Sequence, residues 1–225
     1  MNAVEQEVNQ AGYIGEEPSY SSGCIPEVLT DIYQQPINIV VLQRTLAEEV
    51  SDYYCQKLVD SKPNFNLRSV ITPEKAGLSL KSSLPDMEGQ SVFIDDLVLL
   101  LEMYACLFEL DEVGVRLQVL DRAMCPRFHT DKLGCRLVST FLGQGTEWLQ
   151  NSDVDRSKLG VGNQGLSDDK SGLYLSSACI QQVNAGDVVL LKGEGWYDND
   201  GLGAVHRSPA ISVGEKRLVV TMDFA

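Results

Sequence analysis

The sequence predicts an α+β fold, in which a helical N-terminal region supports an all-β C-terminal half. Three observations lead to this prediction. Residues 45–58 and 94–108 carry apolar side chains at intervals of three and four, the spacing of amphipathic helices. After Gly114 the apolar period changes to two, which is the period of a strand. Short runs of this kind, separated by glycine turns, are typical of an antiparallel sandwich or barrel.

Composition and charge narrow the classes of function. The chain has 225 residues, of which 44% are apolar and 22% charged, as in one globular domain with or without an extension. Its 18 Lys and Arg against 32 Asp and Glu give a formal net charge of −14, which repels nucleic-acid phosphates and anionic headgroups. No apolar run reaches the roughly 20 residues of a membrane span, and no secretory signal is recognisable. We therefore expect a cytoplasmic protein with no nucleic-acid or membrane partner.

The six cysteines are expected to be reduced and mostly buried. They form no C-x-x-C pair, and a chain of this length does not need disulfides to compensate for a small core. Free cysteine packs as a small apolar residue. The six are Cys24, Cys55, Cys106, Cys125, Cys135 and Cys179.

The N-terminal half divides into a tail and a helical support region. Residues 1–36 are expected to form an acidic, mobile tail, because the first 43 residues contain six acids and no Lys or Arg. Residues 37–114 are expected to form the support region, which opens with a β-branched run at 37–42. Its helices are predicted at 45–60 and at 94–108, the second capped by Ser91. The proline-containing stretch between them, 61–91, predicts an irregular connection or a lid.

Residues 115–225 are expected to form the β domain. Apolar runs with a period of two predict strands at 115–120, 136–141, 188–191 and 218–222. The Gly- and Asp-rich stretch 151–172 predicts a long loop at the rim, and whether it forms a lid is left open.

The only two histidines lie in this β domain, next to residues that metal sites use. His129 and Asp131 are two residues apart, so in a strand their side chains point to the same face. His206 follows 75 residues after Asp131. If the sheet folds back on itself, two imidazoles and one carboxylate meet on one side of an ion and leave other positions open, an arrangement that suits Fe(II). A buried histidine with a purely structural role is the alternative.

Arg217 strengthens this interpretation. It begins a strand in which Arg217, Val219 and Thr221 share a face, so its guanidinium can hold a carboxylate with Thr221 adding a hydroxyl. A surface salt bridge is the alternative for Arg217. Arg136 is expected either to contact the co-substrate or to stabilise a neighbouring carboxylate.

About residues 115–225 resemble the 2-oxoglutarate- and Fe(II)-dependent oxygenases, particularly the prolyl-hydroxylase-like branch. The resemblance rests on the lead-in strand, on His129 and Asp131, on the Ala185-Gly186-Asp187 turn and on His206 and Arg217. The motifs CPxFHxD at 125–131, GxGTEWL at 143–149 and HRSP at 206–209 also look like the signature of a bacterial domain family of unknown function.

This resemblance implies a fold, a site and a reaction. The fold is a double-stranded β-helix, a jelly-roll or cupin-like core supported by the N-terminal helices. His129, Asp131 and His206 would be catalytic and hold Fe(II), while Arg217, with Thr221 and Arg136, would bind 2-oxoglutarate. The implied activity is a dioxygenase, a hydroxylase whose substrate is an unidentified small molecule or protein side chain.

Two rival functions use the same residues differently. The first is a non-catalytic protein of metal homeostasis or sensing that holds Zn(II) alone, since Zn(II) outcompetes Fe(II) at most N/O sites. Cys125 as a fourth ligand would favour it by closing the site. The second is a binding module that retains no metal. Three further residues have open roles: Lys192 as a substitute for Arg217, and Trp148 and Trp196 either at the mouth of the site or in the core.

Overall fold

The computed structural model describes residues 18–225, so the part of the predicted tail at 1–17 lies outside the described residues. Within the described range, no helix has both the length and the apolar character needed to cross a membrane.

The described residues contain three α-helices and ten strands. The helices are α1 (Gln56–Ser61), α2 (Ala76–Ser83) and α3 (Gln90–Phe108). The strands are β1 (Tyr20–Gly23), β2 (Ile39–Leu42), β3 (Asn66–Ile71), β4 (Val113–Leu120), β5 (Cys135–Leu142), β6 (Glu147–Leu149), β7 (Gln181–Gln182), β8 (Val188–Lys192), β9 (Val205–Arg207) and β10 (Arg217–Phe224). A 3₁₀ helix spans Pro26–Tyr33, and a wide helical turn at Glu49–Cys55 leads into α1.

The strands form two sheets. The large sheet has the order β1-β2-β8-β5-β10-β4-β3, and the small sheet has the order β7-β6-β9. All neighbouring strands are antiparallel except β1 and β2. From β5 onward the chain passes from the large sheet to β6 and β7 of the small sheet, back to β8, out to β9 and back to β10, which is the winding of a double-stranded β-helix. The predicted fold class is confirmed, and the four predicted strands correspond to β4, β5, β8 and β10.

Helix α3 packs on the outer face of the large sheet. The alternation of β4 turns Val115, Leu117 and Val119 toward this helix, and the stripe predicted on α3, including Leu100 and Tyr104, is buried against them. Each such side chain contributes about 1.5–3 kcal/mol when fully buried. The packing therefore leaves the opposite face of the sheet, between the two sheets, for the site.

Two expectations for the N-terminal half are wrong. Residues 18–36 are not a mobile tail, because β1 pairs with β2 and the 3₁₀ helix buries Leu29 and Ile32. The stretch 61–91 is not irregular throughout, since it contains β3 and α2. In both segments, main-chain pairing and a few apolar side chains outweigh a polar composition.

The first predicted helix begins later than expected. Arg44 is held in extended chain, because its Nε donates to the carbonyl oxygen of Gly186 at 2.7 Å and its guanidinium binds Asp96. The helical residues therefore begin near Glu49.

The expectation for the cysteines holds only in part. All six are free thiols, but only Cys55 and Cys135 are buried. Cys24, Cys106 and Cys125 are exposed, and Cys179 is partly exposed. Cys106 shows the reason, since it follows the buried Ala105 on α3 and the helical rotation turns it toward solvent.

Candidate metal centre

A two-residue bridge places the two histidines side by side. The amide of His129 donates to the carbonyl oxygen of His206, and the amide of His206 donates to that of His129, both at 3.0 Å. His206 lies in β9, where it also pairs with Trp148 of β6. The centroids of the two imidazole rings are 4.5 Å apart. Backbone pairing thus brings together two side chains that are 77 positions apart in the sequence.

The ring nitrogens are oriented by the main chain. Nδ1 of His129 lies 2.9 Å from the carbonyl oxygen of Arg127, and Nδ1 of His206 lies 3.0 Å from that of Ala204. A carbonyl oxygen only accepts, so each Nδ1 carries the proton and each Nε2 has a free lone pair. Metal-binding histidines are commonly oriented in this way.

Asp131 completes the group. Its Oδ1 lies 3.8 Å from Nε2 of His129, and its Oδ2 lies 3.6 Å from Nε2 of His206. The candidate ligand atoms of the three residues all lie within 4.8 Å of one another. The structure therefore brings the three predicted ligands together.

The local electrostatics favour the form of His206 that can bind a cation. Burial, and then the nearby His129, lower the pKa of His206 to about 4, so its imidazole is neutral at pH 7. Two imidazoles and one carboxylate form a donor set that suits Fe(II), Zn(II) and other first-row divalent metals.

Arg136 fixes the orientation of the Asp131 carboxylate by a hydrogen bond. Its Nη1 donates to Asp131 Oδ2 at 2.7 Å, while its Nε and Nη2 donate to the two oxygens of Asp223 at 2.6 and 2.9 Å. The structure thus has Arg136 as the partner of two carboxylates, one of the two alternatives left open by the sequence.

Arg136→Gln should weaken divalent-metal binding by about 10- to 100-fold, the usual loss when a hydrogen-bonded partner of a metal ligand is removed. The reason is that Asp131 would lose the donor that orients its carboxylate. Calorimetric titration of the metal-free protein with Co(II) measures this. Arg122→Gln, at an exposed turn position, is the matched control. Equal affinities in the two variants would contradict the positioning role.

Arg217 is a buried cation without an anion. Its side chain lies on the inner face, where Nη2 donates to Thr140 Oγ1 at 2.8 Å and to Thr146 Oγ1 at 3.1 Å. Its Nε is buried with no hydrogen-bond partner, and no carboxylate of the described chain lies within 4.0 Å of it. Burial lowers its pKa to about 10, so it stays protonated at pH 7. The surface salt bridge that was its alternative is absent from the described residues.

Arg217 and the histidines share one cavity. The cavity has a volume of about 60 Å³, and its lining includes His129, His206, Arg217 and Thr221. This is room for about two water molecules. A ligand as large as a dicarboxylic acid therefore requires side chains at the cavity wall, such as the exposed Met124, to turn outward.

Asp168 is a residue of the site region that the sequence reasoning missed. It lies in the long loop, is buried, and accepts from Arg127 Nε at 2.7 Å and from the amide of Phe128 at 2.9 Å. Arg207 Nη1 lies 3.4 Å from it. Asp168 thus ties the loop to both histidine-bearing segments. One signal was available, since Arg127 lies two positions before His129 and Arg207 directly follows His206, so an acid near both segments was to be expected.

Asp168→Ala should lower the free energy of unfolding by about 2–4 kcal/mol, because it leaves the buried amide of Phe128 without an acceptor and removes the carboxylate that pairs with Arg127 and Arg207. For a chain of this size the midpoint should fall by roughly 5–15 °C. A thermal unfolding curve measures this, with Asp169→Ala at the exposed neighbouring position as control. Similar midpoints for both variants would show that the contacts contribute little.

The remaining candidates lie outside the ligand group. Cys125 is exposed and is not part of the metal-binding cluster found among the described residues. Lys192 is buried elsewhere and donates to the carbonyl oxygen of Gln34 at 3.0 Å. Trp148 is buried between the sheets, and Trp196 packs 5.5 Å from the ring of Tyr33. Both tryptophans thus have the packing role.

The fold and this cluster define a double-stranded β-helix protein with a two-histidine, one-carboxylate centre. The chain belongs to the family described as "Protein of unknown function (DUF1826)", which matches residues 23–223. No curated protein matches it at a significant level.

Solved structures that are similar to this chain include three from different organisms. The first is a prolyl-4-hydroxylase from Pseudomonas putida, with 12% identity, 88% of this chain and 97% of that chain covered, and a TM-score of 0.46. The second is HygX from Streptomyces hygroscopicus with iron bound, with 10% identity, coverage of 87% and 84%, and a TM-score of 0.46. The third is a dioxygenase for auxin oxidation in rice, with 11% identity, coverage of 92% and 83%, and a TM-score of 0.44. Likenesses of this degree leave the reaction and the substrate open.

Proposed function

We propose that the protein is a 2-oxoglutarate- and Fe(II)-dependent oxygenase that hydroxylates its substrate. One observation carries this proposal: a buried, protonated arginine without a carboxylate partner lines the same cavity as the two imidazoles of the His129–Asp131–His206 group. A buried charge without a partner costs several kcal/mol. A ligand that brings a carboxylate into this cavity and also binds a metal offsets that cost.

The residues fit these two cofactors. Nε2 of both histidines and one oxygen of Asp131 would hold Fe(II) on one side and leave the other positions open. When bound, Fe(II) and 2-oxoglutarate supply the oxidising chemistry, in which dioxygen is consumed, the keto acid becomes succinate and CO₂, and one oxygen atom enters a C–H bond. Arg136 keeps the carboxylate of Asp131 oriented through the 2.7 Å hydrogen bond.

The far end of the keto acid would lie at Arg217. Its Nε has no partner and would donate to a distal carboxylate. Thr140 and Thr146 accept from Arg217, so their own hydroxyl protons are directed elsewhere and can also donate to that carboxylate. Thr221 adds a hydroxyl to the lining.

The contacts of the group favour this function over a Zn(II)-only protein. A structural zinc site has four protein ligands. Here the fourth candidate, Cys125, is exposed and outside the cluster. A site that binds only Zn(II) also brings no anion to pair with the buried charge of Arg217.

Anaerobic reconstitution tests the proposal. The metal-free protein is loaded with Fe(II) and titrated with 2-oxoglutarate. A weak visible charge-transfer band that saturates with the keto acid is the expected result, because the band requires both on the same centre. Metal binding without any response to 2-oxoglutarate would overturn the oxygenase proposal and support the zinc alternative.

A further inference from the structure

The inner face of the large sheet continues outward from the cavity as a polar shelf. We use "shelf" for the inward-facing residues of β3 and β4, which are Asn66, Arg68, Val70, Gly114, Arg116 and Gln118. Thr221, which lines the cavity, pairs directly with Arg116, and Arg116 pairs with Arg68. Residues opposite each other on neighbouring strands point to the same face. The shelf therefore begins one strand away from the candidate metal centre.

The shelf is open to solvent. Arg68 and Val70 are exposed, and Arg116 and Gln118 are partly buried. A groove of about 410 Å³ lies along it and includes Arg68, Arg116 and Asp223 in its lining. A ligand can therefore reach both arginines.

The two arginines form an unfavourable pair as they stand. They lie directly opposite each other, so their Cβ atoms are about 5 Å apart, and like charges in this position destabilise a sheet. Within the described part of the chain neither guanidinium has an acid within 4.0 Å or a hydrogen bond. The chain carries a net charge of −14, so acids are plentiful, but none of those in the described residues pairs with these two arginines.

The acid that lines the same groove already has another partner. Both carboxylate oxygens of Asp223, on the same groove, accept from Arg136. The Oε1 atom of Gln118 is buried and has no hydrogen-bond partner. The shelf thus has unused donors on two arginines, while the unpaired oxygen of Gln118 lies below the surface.

We propose that Arg68 and Arg116 bind an oxyanion of the substrate, a phosphate or carboxylate group. Only the identification of this oxyanion as part of a substrate rests on the proposed function. Neighbouring strands are about 4.8 Å apart, so the oxyanion lies roughly 5–10 Å across the sheet from Thr221. Two guanidinium groups fit the planar, two-point recognition of such anions. The substrate class is therefore a small molecule or side chain with a negative group a few bonds from the hydroxylated carbon.

Anion binding to the metal-free, full-length protein tests this. Inorganic phosphate and acetate are titrated separately by calorimetry at low salt, to separate the two sources of the oxyanion. We expect Arg68→Gln and Arg116→Gln each to weaken binding of the preferred anion by about 10-fold, as one charged hydrogen-bonding group is lost. Arg122→Gln, an exposed arginine outside the shelf, should retain the wild-type affinity. Added NaCl should weaken the wild-type binding.

Folding controls separate recognition from a structural role. Without an anion, Arg68→Gln and Arg116→Gln should melt at or above the wild-type temperature, because each relieves the repulsion between like charges. Phosphate or acetate should raise the melting temperature of the wild type and not of these variants.

Three results would overturn the inference. The first is that the wild type binds neither anion, and the second is an equal loss in Arg122→Gln. The third is a loss in Arg217→Met while Arg68→Gln and Arg116→Gln keep the wild-type affinity, which would place the anion in the cavity instead. The outcome is independent of the iron experiment. Anion binding that depends on Arg68 and Arg116 supports the anion site on the shelf even if no charge-transfer band forms. A charge-transfer band without such anion binding overturns the anion site and leaves the oxygenase proposal intact.

Discussion

Asp131→Asn should weaken Fe(II) binding by at least about 100-fold, more than the loss that follows from removing a partner of a metal ligand. The substitution is nearly isosteric and removes the only anionic ligand of the cluster while leaving both imidazoles in place. Replacing His129 or His206 should have the same effect. The fold should remain, because the sheets and the core on α3 do not depend on the ion. Anaerobic calorimetry with Fe(II) measures the affinity, and circular dichroism reports the fold.

The control for this series is Asp111→Asn, which removes the same charge at an exposed turn position. Its metal affinity should equal that of the wild type. If Asp131→Asn also bound Fe(II) as the wild type does, the metal would have to lie elsewhere and the assignment of the centre would be wrong.

Arg217→Ala should leave Fe(II) binding intact and weaken 2-oxoglutarate binding by about 2–5 kcal/mol, or roughly 30- to 4000-fold. The reason is that the carboxylate would enter the cavity without its buried cation. Titration of the Fe(II)-loaded protein with the keto acid, followed by the charge-transfer band, measures this.

Arg217→Met keeps much of the side-chain volume and removes the charge. In the absence of ligand it should be as stable as the wild type or more stable, because an unpaired buried charge is replaced by an apolar group. An unchanged affinity for the keto acid in both variants would contradict the proposed role of Arg217.

The strands and α3 were predictable because each buries one face. In β4 the period of two is complete, and on α3 a wide apolar stripe leaves little alternative to an amphipathic helix. The ordered N-terminal segment was not predictable in this way. The 3₁₀ helix that contains Leu29 and Ile32 is only eight residues long and lies in an acidic stretch, so the burial of these two residues depends on packing against the neighbouring β2.

The site shows a similar division. The two-residue spacing of His129 and Asp131, with His206 as the only other histidine, was enough to indicate the three candidate ligands. The contacts that position these ligands were not predictable from the sequence. Asp168 reaches Arg127 from a loop 41 positions away, and Arg136 reaches Asp223 across 87 positions. Long-range pairs of this kind depend on which strands become neighbours, and spacing along one segment does not contain that information.

The reciprocal amide bonds between His129 and His206 have a consequence for biosynthesis. A chain still emerging from the ribosome holds His129 and Asp131 long before His206 is made, and the bridge cannot close before β9 has been synthesised. A divalent ion therefore cannot act as an early template for folding. The complete set of ligands exists only once nine of the ten described strands have been synthesised, so metal binding follows most of the synthesis of the scaffold.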